Sequence, residues 1–292
     1  KAREGKPSPD APPVLLNIPS DQIQQIAIKR KDGQGATIKK GDDGKWQMLE
    51  PQPLPVDQDA VSSLTSTVSN LNSDRLIEEQ AADLNTYGLA SPSVEVVITR
   101  KDGKASKLLI GDETPTGSGY FVKLDGEAKV YTLASYNKTS LDKSYKDLRD
   151  KRLLRFDSDK VARIELHARN EVIEFGKNAL NDWQILKPKP YRADGSQVEE
   201  LLRRLRDAKM DLSISDEDAK KAAANFGSAT RVAVVKVTDA AGTQEMDIRK
   251  DKDSNYFVRT TSVDGIYKVG SDVADSAAKP LVDYRNKKVF DF

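Results

Sequence analysis

The residues able to do chemistry are few and scattered. His167 is the only histidine among 292 residues and sits in a strand-like alternation, so a histidine triad would have to use it and a histidine metal cluster is ruled out. No nucleophile motif stands near it, and it reads as an ordinary strand residue. Ser140 to Lys143, "SLDK", has the S-x-x-K spacing in which lysine accepts a serine proton, but the S-D-N and K-T-G companions of such enzymes are missing. Asp251 to Asn255, "DKDSN", places oxygen donors at alternate positions, as a calcium loop does. Tyr256 then stands where that loop needs glycine and Ser262 where it needs glutamate, so the stretch reads as an acidic hairpin turn. "GDDGKW" from Gly41 has neither the spacing nor the Ser/Thr of a phosphate-binding loop. Cysteine is absent, which excludes disulfides, thiolate metal sites and cysteine nucleophiles. No catalytic set, metal centre or cofactor is expected; a hydrolase working through a carboxylate pair or Ser140 is the alternative.

Binding candidates are better defined. Trp46 and Trp183 have the ring area to stack on sugars or a partner, although their place ahead of a proline-ended strand favours the core. Arg203, Arg204 and Arg206 make one helix face basic and suit an anionic lipid or polymer, with Glu199, Glu200 and Asp207 close enough in sequence to neutralise them.

The elements that must position these groups occur twice. Sliding the chain on itself by about 137 positions sets "GKWQMLEPQP" at Gly44 on "NDWQILKPKP" at Asn181, and "YGLASPSVEVVI" at Tyr87 on "FGSATRVAVVKV" at Phe226. It also sets "GYFVKLDGEAKVYTL" at Gly119 on "NYFVRTTSVDGIYKV" at Asn255, and "DLRDKRLLRF" at Asp147 on the closing "DYRNKKVFDF". Ile23, Ile26 and Ile28 alternate as in a strand. Val61, Leu64, Val68 and Leu71 recur at helical spacing, as do Val198, Leu201, Leu205 and Ala208 in the twin, which a capping box from Ser196 to Glu199 is expected to open. Four strands with glycine turns follow in each copy. The fold class is therefore α+β, two tandem copies of a mainly antiparallel sheet with two or three packing helices each.

The basic phrase is expected to close the first copy, with Leu148, Leu153, Leu154 and Phe156 on its sheet. Residues shared by both copies, Tyr87, Gly88, Phe226, Gly227, Arg149, Lys151, Arg285 and Lys287, read as structural, and a unique site is expected where the copies differ. The organisation is a stalk over 1–17, a first repeat over 18–156 and a second over 157–292. The basic, proline-rich opening "KAREGKPSPDAPP" reads as a stalk following a cleaved signal or a membrane anchor, an arbitrary boundary being the alternative. With 47 basic against 46 acidic residues there is no global charge to attract nucleic acid. The longest apolar runs, such as "VEVVI" from Val94, are strand-sized.

Trp46 to Pro51 before a helix, "YGL-x-x-P" at Tyr87 to Pro92, "L-x-I-G" at Leu108 to Gly111, and "LRDKRLLRF" leading into a new strand resemble the bacterial domain-of-unknown-function family numbered 4340, over Ile18 to Phe292. The second copy has "FGS" where the first has "YGL". The resemblance implies an N-terminal membrane helix ahead of a tandem-domain body outside the cytoplasm, and some members are similar to accessory components of gliding-type ABC transporters. It carries no catalytic residues. The expectation is a non-enzymatic, membrane-tethered periplasmic binding or scaffold module with a protein partner such as transporter subunits; the alternative is an envelope glycan- or lipid-binding protein, or a hydrolase.

Overall fold

A computed structural model of the chain describes residues 11–288. The chain divides into two compact units, Lys1–Asp150 and Lys151–Phe292. The first runs β1 (Val14–Asn17), β2 (Ile23–Arg30), β3 (Ala36–Lys40), β4 (Trp46–Glu50), β5 (Leu54–Pro55), α1 (Gln58–Ser69), β6 (Asn70–Asn72), β7 (Arg75–Glu78), β8 (Val94–Arg100), β9 (Ala105–Glu113), β10 (Gly119–Leu124), β11 (Val130–Ala134), α2 (Ser135–Leu141) and α3 (Tyr145–Leu148). The second runs β12 (Arg163–Ala168), β13 (Glu171–Lys177), β14 (Trp183–Lys187), β15 (Tyr191–Arg192), α4 (Gly195–Asp207), α5 (Asp216–Asn225), β16 (Thr230–Asp239), β17 (Gly242–Lys250), β18 (Tyr256–Thr260), β19 (Ile266–Val269) and α6 (Ser271–Ala277).

The large sheets have the orders β5-β4-β3-β2-β8-β9-β10-β11-β7 and β15-β14-β13-β12-β16-β17-β18-β19, and every pairing in them is antiparallel. Both units are therefore α+β, the large sheet of the second having one strand fewer.

Alternation decides which face is covered. In the first unit Ile26, Ile28, Val96 and Ile98 pack with Val61, Leu64 and Val68 of α1. In the second Ile164, Leu166, Val235 and Val237 pack with Val198, Leu201, Leu202 and Leu205 of α4. At about 2 kcal/mol for each buried aliphatic side chain, each core is sufficient to hold its own sheet and helix together. The capping box expected at Ser196 does not form. The cap lies two residues earlier, at Asp194, whose Oδ1 accepts from the Ser196 amide at 3.1 Å, and Glu199 instead accepts from Trp183 Nε1 at 2.7 Å.

The repeated basic phrase has two jobs, which corrects the expectation that all its apolar residues close the first copy. Its start does so. Leu148 is buried in the first core and accepts from the Asp57 amide at 2.9 Å, while the Asp150 amide donates to the Pro55 carbonyl at 2.9 Å. In the second unit Tyr284 accepts from the Asp194 amide at 2.8 Å and the Asn286 amide donates to Arg192 at 2.9 Å. Residues 151–156 instead open the second unit: Leu153 and Leu154 are buried in its core, and Phe156 packs on it. The backbone explains why. The Met210 amide donates to the Lys151 carbonyl at 2.9 Å and Arg152 bridges Lys209, a pairing that the first unit makes between β1 and β6.

That equivalence also bears on the stalk. Its first ten residues lie outside the described residues, but Val14–Asn17 form β1, with Leu15 and Leu16 buried, so this end belongs to the first unit's core.

Each unit holds one tryptophan, Trp46 or Trp183. Leu153→Ala is expected to destabilise the second unit by about 3 kcal/mol and to leave the first unchanged. Denaturant unfolding followed by Trp183 fluorescence in a Trp46→Phe background, and by Trp46 in a Trp183→Phe background, checks this; a loss on the Trp46 transition alone would put Leu153 in the other core.

Candidate functional site

The sheet faces opposite α1 and α4 are where the copies part company. In the first unit this outer face carries a separate apolar cluster of Tyr87, Leu89, Leu109 and Val130, with Ile77, Ala81, Leu84 and Phe121 packed on it. The strand register gives the second-unit counterparts: Ile110 faces Val122 and Ile248 faces Val258, so Leu109 becomes Asp247 and Gly111 becomes Arg249. Likewise Pro92 becomes Arg231, Lys123 becomes Arg259, Tyr87 becomes Phe226 and Phe121 becomes Phe257. Three of these positions change from uncharged to charged, while Lys123 is exchanged for another cation, Arg259.

Gly111 explains the closure of the first face. A Cβ at that position would strike the Tyr87 carbonyl, so glycine alone lets the backbone around Tyr87–Leu89 sit directly on β9. Gly88, at φ 68°, makes the turn that brings it there. In the second unit Arg249 stands in that gap. Its Nη1 donates to the carbonyls of Phe226 at 3.1 Å and Gly227 at 2.9 Å, holding the equivalent turn a guanidinium's width from β17. Strand addition differs as well. The Asp74 amide donates to Thr132 and the Asp211 amide to Lys268, each at 2.8 Å. The first chain then continues as β7, whereas Asp211 Oδ1 turns back to accept from Ser213 and the chain leaves as α5.

A groove of about 720 Å³ remains under α5. Phe226, Phe257 and Ile214 supply its apolar lining, Ala222 and Asn225 come from α5, and Lys268 from the sheet edge. Asp251 and Asp253 belong to the "DKDSN" stretch, which is the β17–β18 hairpin turn: Asp251 Oδ1 accepts from the amides of Asp253 at 2.9 Å and Asn255 at 2.8 Å. No side chain of α5 is buried.

Beside the groove, Asp247 is 4% exposed and lies between Met246 and Ile248, which point into the core. Its Oδ2 receives Arg231 at 3.1 Å and Arg249 at 3.2 Å, with Arg259 at 3.8 Å. The guanidinium groups of Arg249 and Arg259 lie 4.8 and 5.3 Å from the Phe226 ring centroid. Burial by itself would raise the Asp247 carboxyl pKa, but the hydrogen bonds from Arg231 and Arg249 outweigh it and hold the group below its ordinary 3.8.

The residues singled out from sequence fall elsewhere. Trp46 and Trp183 are 9% and 6% exposed, buried between sheet and helix, so neither offers a ring for stacking. Arg203 and Arg204 pair with Glu200, and Arg203 and Arg206 with Asp207; Glu200 is drawn down to about 2, chiefly by Arg203. That helix face carries its own counter-charge. His167 sits on the outer face, 3.1 Å from Glu165, and Ser140 donates to the Tyr136 carbonyl at 2.9 Å. Among the shared residues, Arg149 bridges Val56, Arg285 bridges Ala193 and lies 4.3 Å from the Tyr191 ring, Gly227 and Lys287 are exposed, and Lys151 makes the opening pairing described above. Among the described residues no group of three or more histidines or carboxylates is placed to hold a metal. The arginine cluster has no motif in sequence; its one signal was position, four places where the copies disagree.

A carboxyl whose pKa falls on folding contributes stability above its ordinary value, and the contribution disappears as pH drops through the folded value. The second unit is therefore expected to lose stability as pH falls below about 4, its Asp247 share being removed by Asp247→Asn, which at neutral pH costs about 2 kcal/mol. Trp183-monitored unfolding at neutral and acid pH tests this; an unchanged stability at neutral pH in the variant would mean the arginines need no buried partner.

No curated protein and no solved structure matches the chain. One family does, over residues 46–179 and 183–292. Each matched segment begins at a tryptophan strand, so the family's repeat has the period of the structural units but is cut at β4 and β14 instead of at residue 151. Matching most of the chain and both copies, these segments place the protein in the domain-of-unknown-function family DUF4340.

Proposed function

We propose that the chain is a non-enzymatic binding module whose second unit carries the recognition groove. The observation behind it is the groove's place: two copies share one scaffold, and the face that Tyr87, Leu109 and Phe121 seal in the first is parted in the second by Arg249. A duplicated domain that keeps one copy sealed and opens the other has a support and a receptor. Mixed apolar and charged lining, with Phe226 and Ile214 beside Lys268 and Asp253, suits a peptide or protein segment better than a purely apolar ligand.

In this reading the module works outside the cytoplasmic membrane, tethered through an anchor ahead of Lys1 as the family resemblance implies, and presents its groove to transporter subunits. No helix among the described residues is long and apolar enough to cross a membrane.

The test is a crosslinking pull-down of tagged, membrane-derived protein, with the wild type compared against Ala222→Trp, a change on a helix with no buried side chain that fills the groove. Wild type is expected to enrich a permease or ATPase subunit that the variant loses, while the variant's unfolding midpoint stays put. Equal recovery from both proteins, or recovery of cell-wall glycan alone, would overturn the reading.

A further inference from the structure

The substitutions that part the outer face also leave its charge unbalanced. Three guanidinium groups surround the single carboxylate of Asp247, a surplus of two positive charges. The nearest other acid along β17, Glu245, pairs in register with Lys236 and attracts Arg231 more weakly than Asp247 does, so it reduces the surplus without removing it. The groove beside it is balanced, with Asp218, Asp251 and Asp253 against Lys221, Lys252 and Lys268.

The three arginines are not equivalent. Arg249 has a side chain 13% exposed, and its donors go to Asp247 and the carbonyls of Phe226 and Gly227; it is part of the scaffold. Arg231 and Arg259 are 57% and 60% exposed. Arg231 uses Nε and Nη2 on Asp247, and its Nη1 makes no hydrogen bond among the described residues. Arg259 approaches Asp247 Oδ2 only at 3.8 Å, too long for a hydrogen bond, so its fork of donors remains open to an outside acceptor. Stacking near Phe226 limits the freedom of that guanidinium, which lowers the entropy lost when it engages a ligand.

Stability alone does not explain this arrangement. The first copy covers the same spot with Leu109 and the stem of Lys123, which is 7% exposed. One guanidinium would satisfy a buried carboxylate, and packing further like charges against it is unfavourable. The excess makes sense if a carboxylate from outside completes the cluster.

We propose that Arg231 and Arg259 dock an acidic segment of a protein partner, a Glu or Asp side chain lying across the two exposed guanidinium groups while neighbouring residues enter the groove under α5. The planar carboxylate matches the guanidinium fork, as Asp247 already does from below. This inference rests on the groove as a recognition site and adds the chemistry of what it recognises.

The purified chain is titrated at fixed ionic strength with a synthetic hexaglutamate peptide and, in a separate arm, with inorganic tripolyphosphate, following the arginine side-chain Nε–H resonances by NMR. Hexaglutamate is expected to shift Arg231 and Arg259 saturably, and Arg231→Gln/Arg259→Gln to weaken its binding by about tenfold or more. That double variant keeps the Asp247–Arg249 pair, so the second unit stays folded, as its unfolding midpoint would confirm. Arg259→Lys, which keeps the charge and loses the fork, is expected to fall between. No saturable shift, equal affinity in the double variant, or tripolyphosphate saturating both arginines where hexaglutamate does not would each overturn the proposal. The two readings fail separately: peptide binding with no groove-dependent capture from membranes sinks the transport-partner reading alone, whereas groove-dependent capture with silent arginines sinks the acidic-segment proposal alone.

Discussion

A β-sheet has two faces, and the main helix of each unit covers only one. Everything that distinguishes the two copies follows from how the second face is handled. Leaving it apolar and bare would expose a sticky surface of several strands, so it must be sealed or made polar. The first unit seals it with the Tyr87 turn, β7 and the cluster around Leu109 and Phe121. The second makes it polar with Glu165, His167 and the arginine cluster, and keeps Phe226 and Phe257 as remnants of the apolar patch.

The switch between these solutions is local. At Gly111 two stretches of backbone come into direct contact, which any side chain would prevent. At Arg249 a long, hydrogen-bonding side chain fills the same gap and satisfies the carbonyls that it holds away. Once a guanidinium is there its charge needs a partner, and Asp247 supplies it from the position of Leu109. A buried carboxylate with too few donors would be costly, whereas one with a surplus projects positive charge outward. Packing, hydrogen bonding and electrostatics are therefore linked through one strand, β17, whose alternate residues Met246 and Ile248 remain ordinary core.

The repeated phrase spans the point at which one unit's pairings end and the next unit's begin. Leu148 to Asp150 ties the end of one unit to its own helix cap, and residues 151–154 begin pairing in the next without an intervening loop. A resemblance between two stretches of chain marks equivalent positions, but it does not say on which side of a boundary each residue packs. Leu148 and Leu153, five residues apart in one phrase, lie in different cores.

By itself the sequence determined the fold class, the duplication, the main helix of each copy and the hairpin at Asp251, and it favoured the core for both tryptophans, because all of these are written in short-range periodicity and turn chemistry; β1, β6 and β7 emerge only in the structure. The cap at Asp194 differs from the expectation because Ser196 and Glu199 satisfy a local rule that a two-residue shift of the helix start makes irrelevant. The arginine cluster was beyond reach for a deeper reason. Arg231, Asp247, Arg249 and Arg259 belong to three different strands and are separated by up to a hairpin and more of chain, and only the cross-strand register brings them to one carboxylate. Register is set by the whole sheet, so that juxtaposition was decided by the tertiary structure.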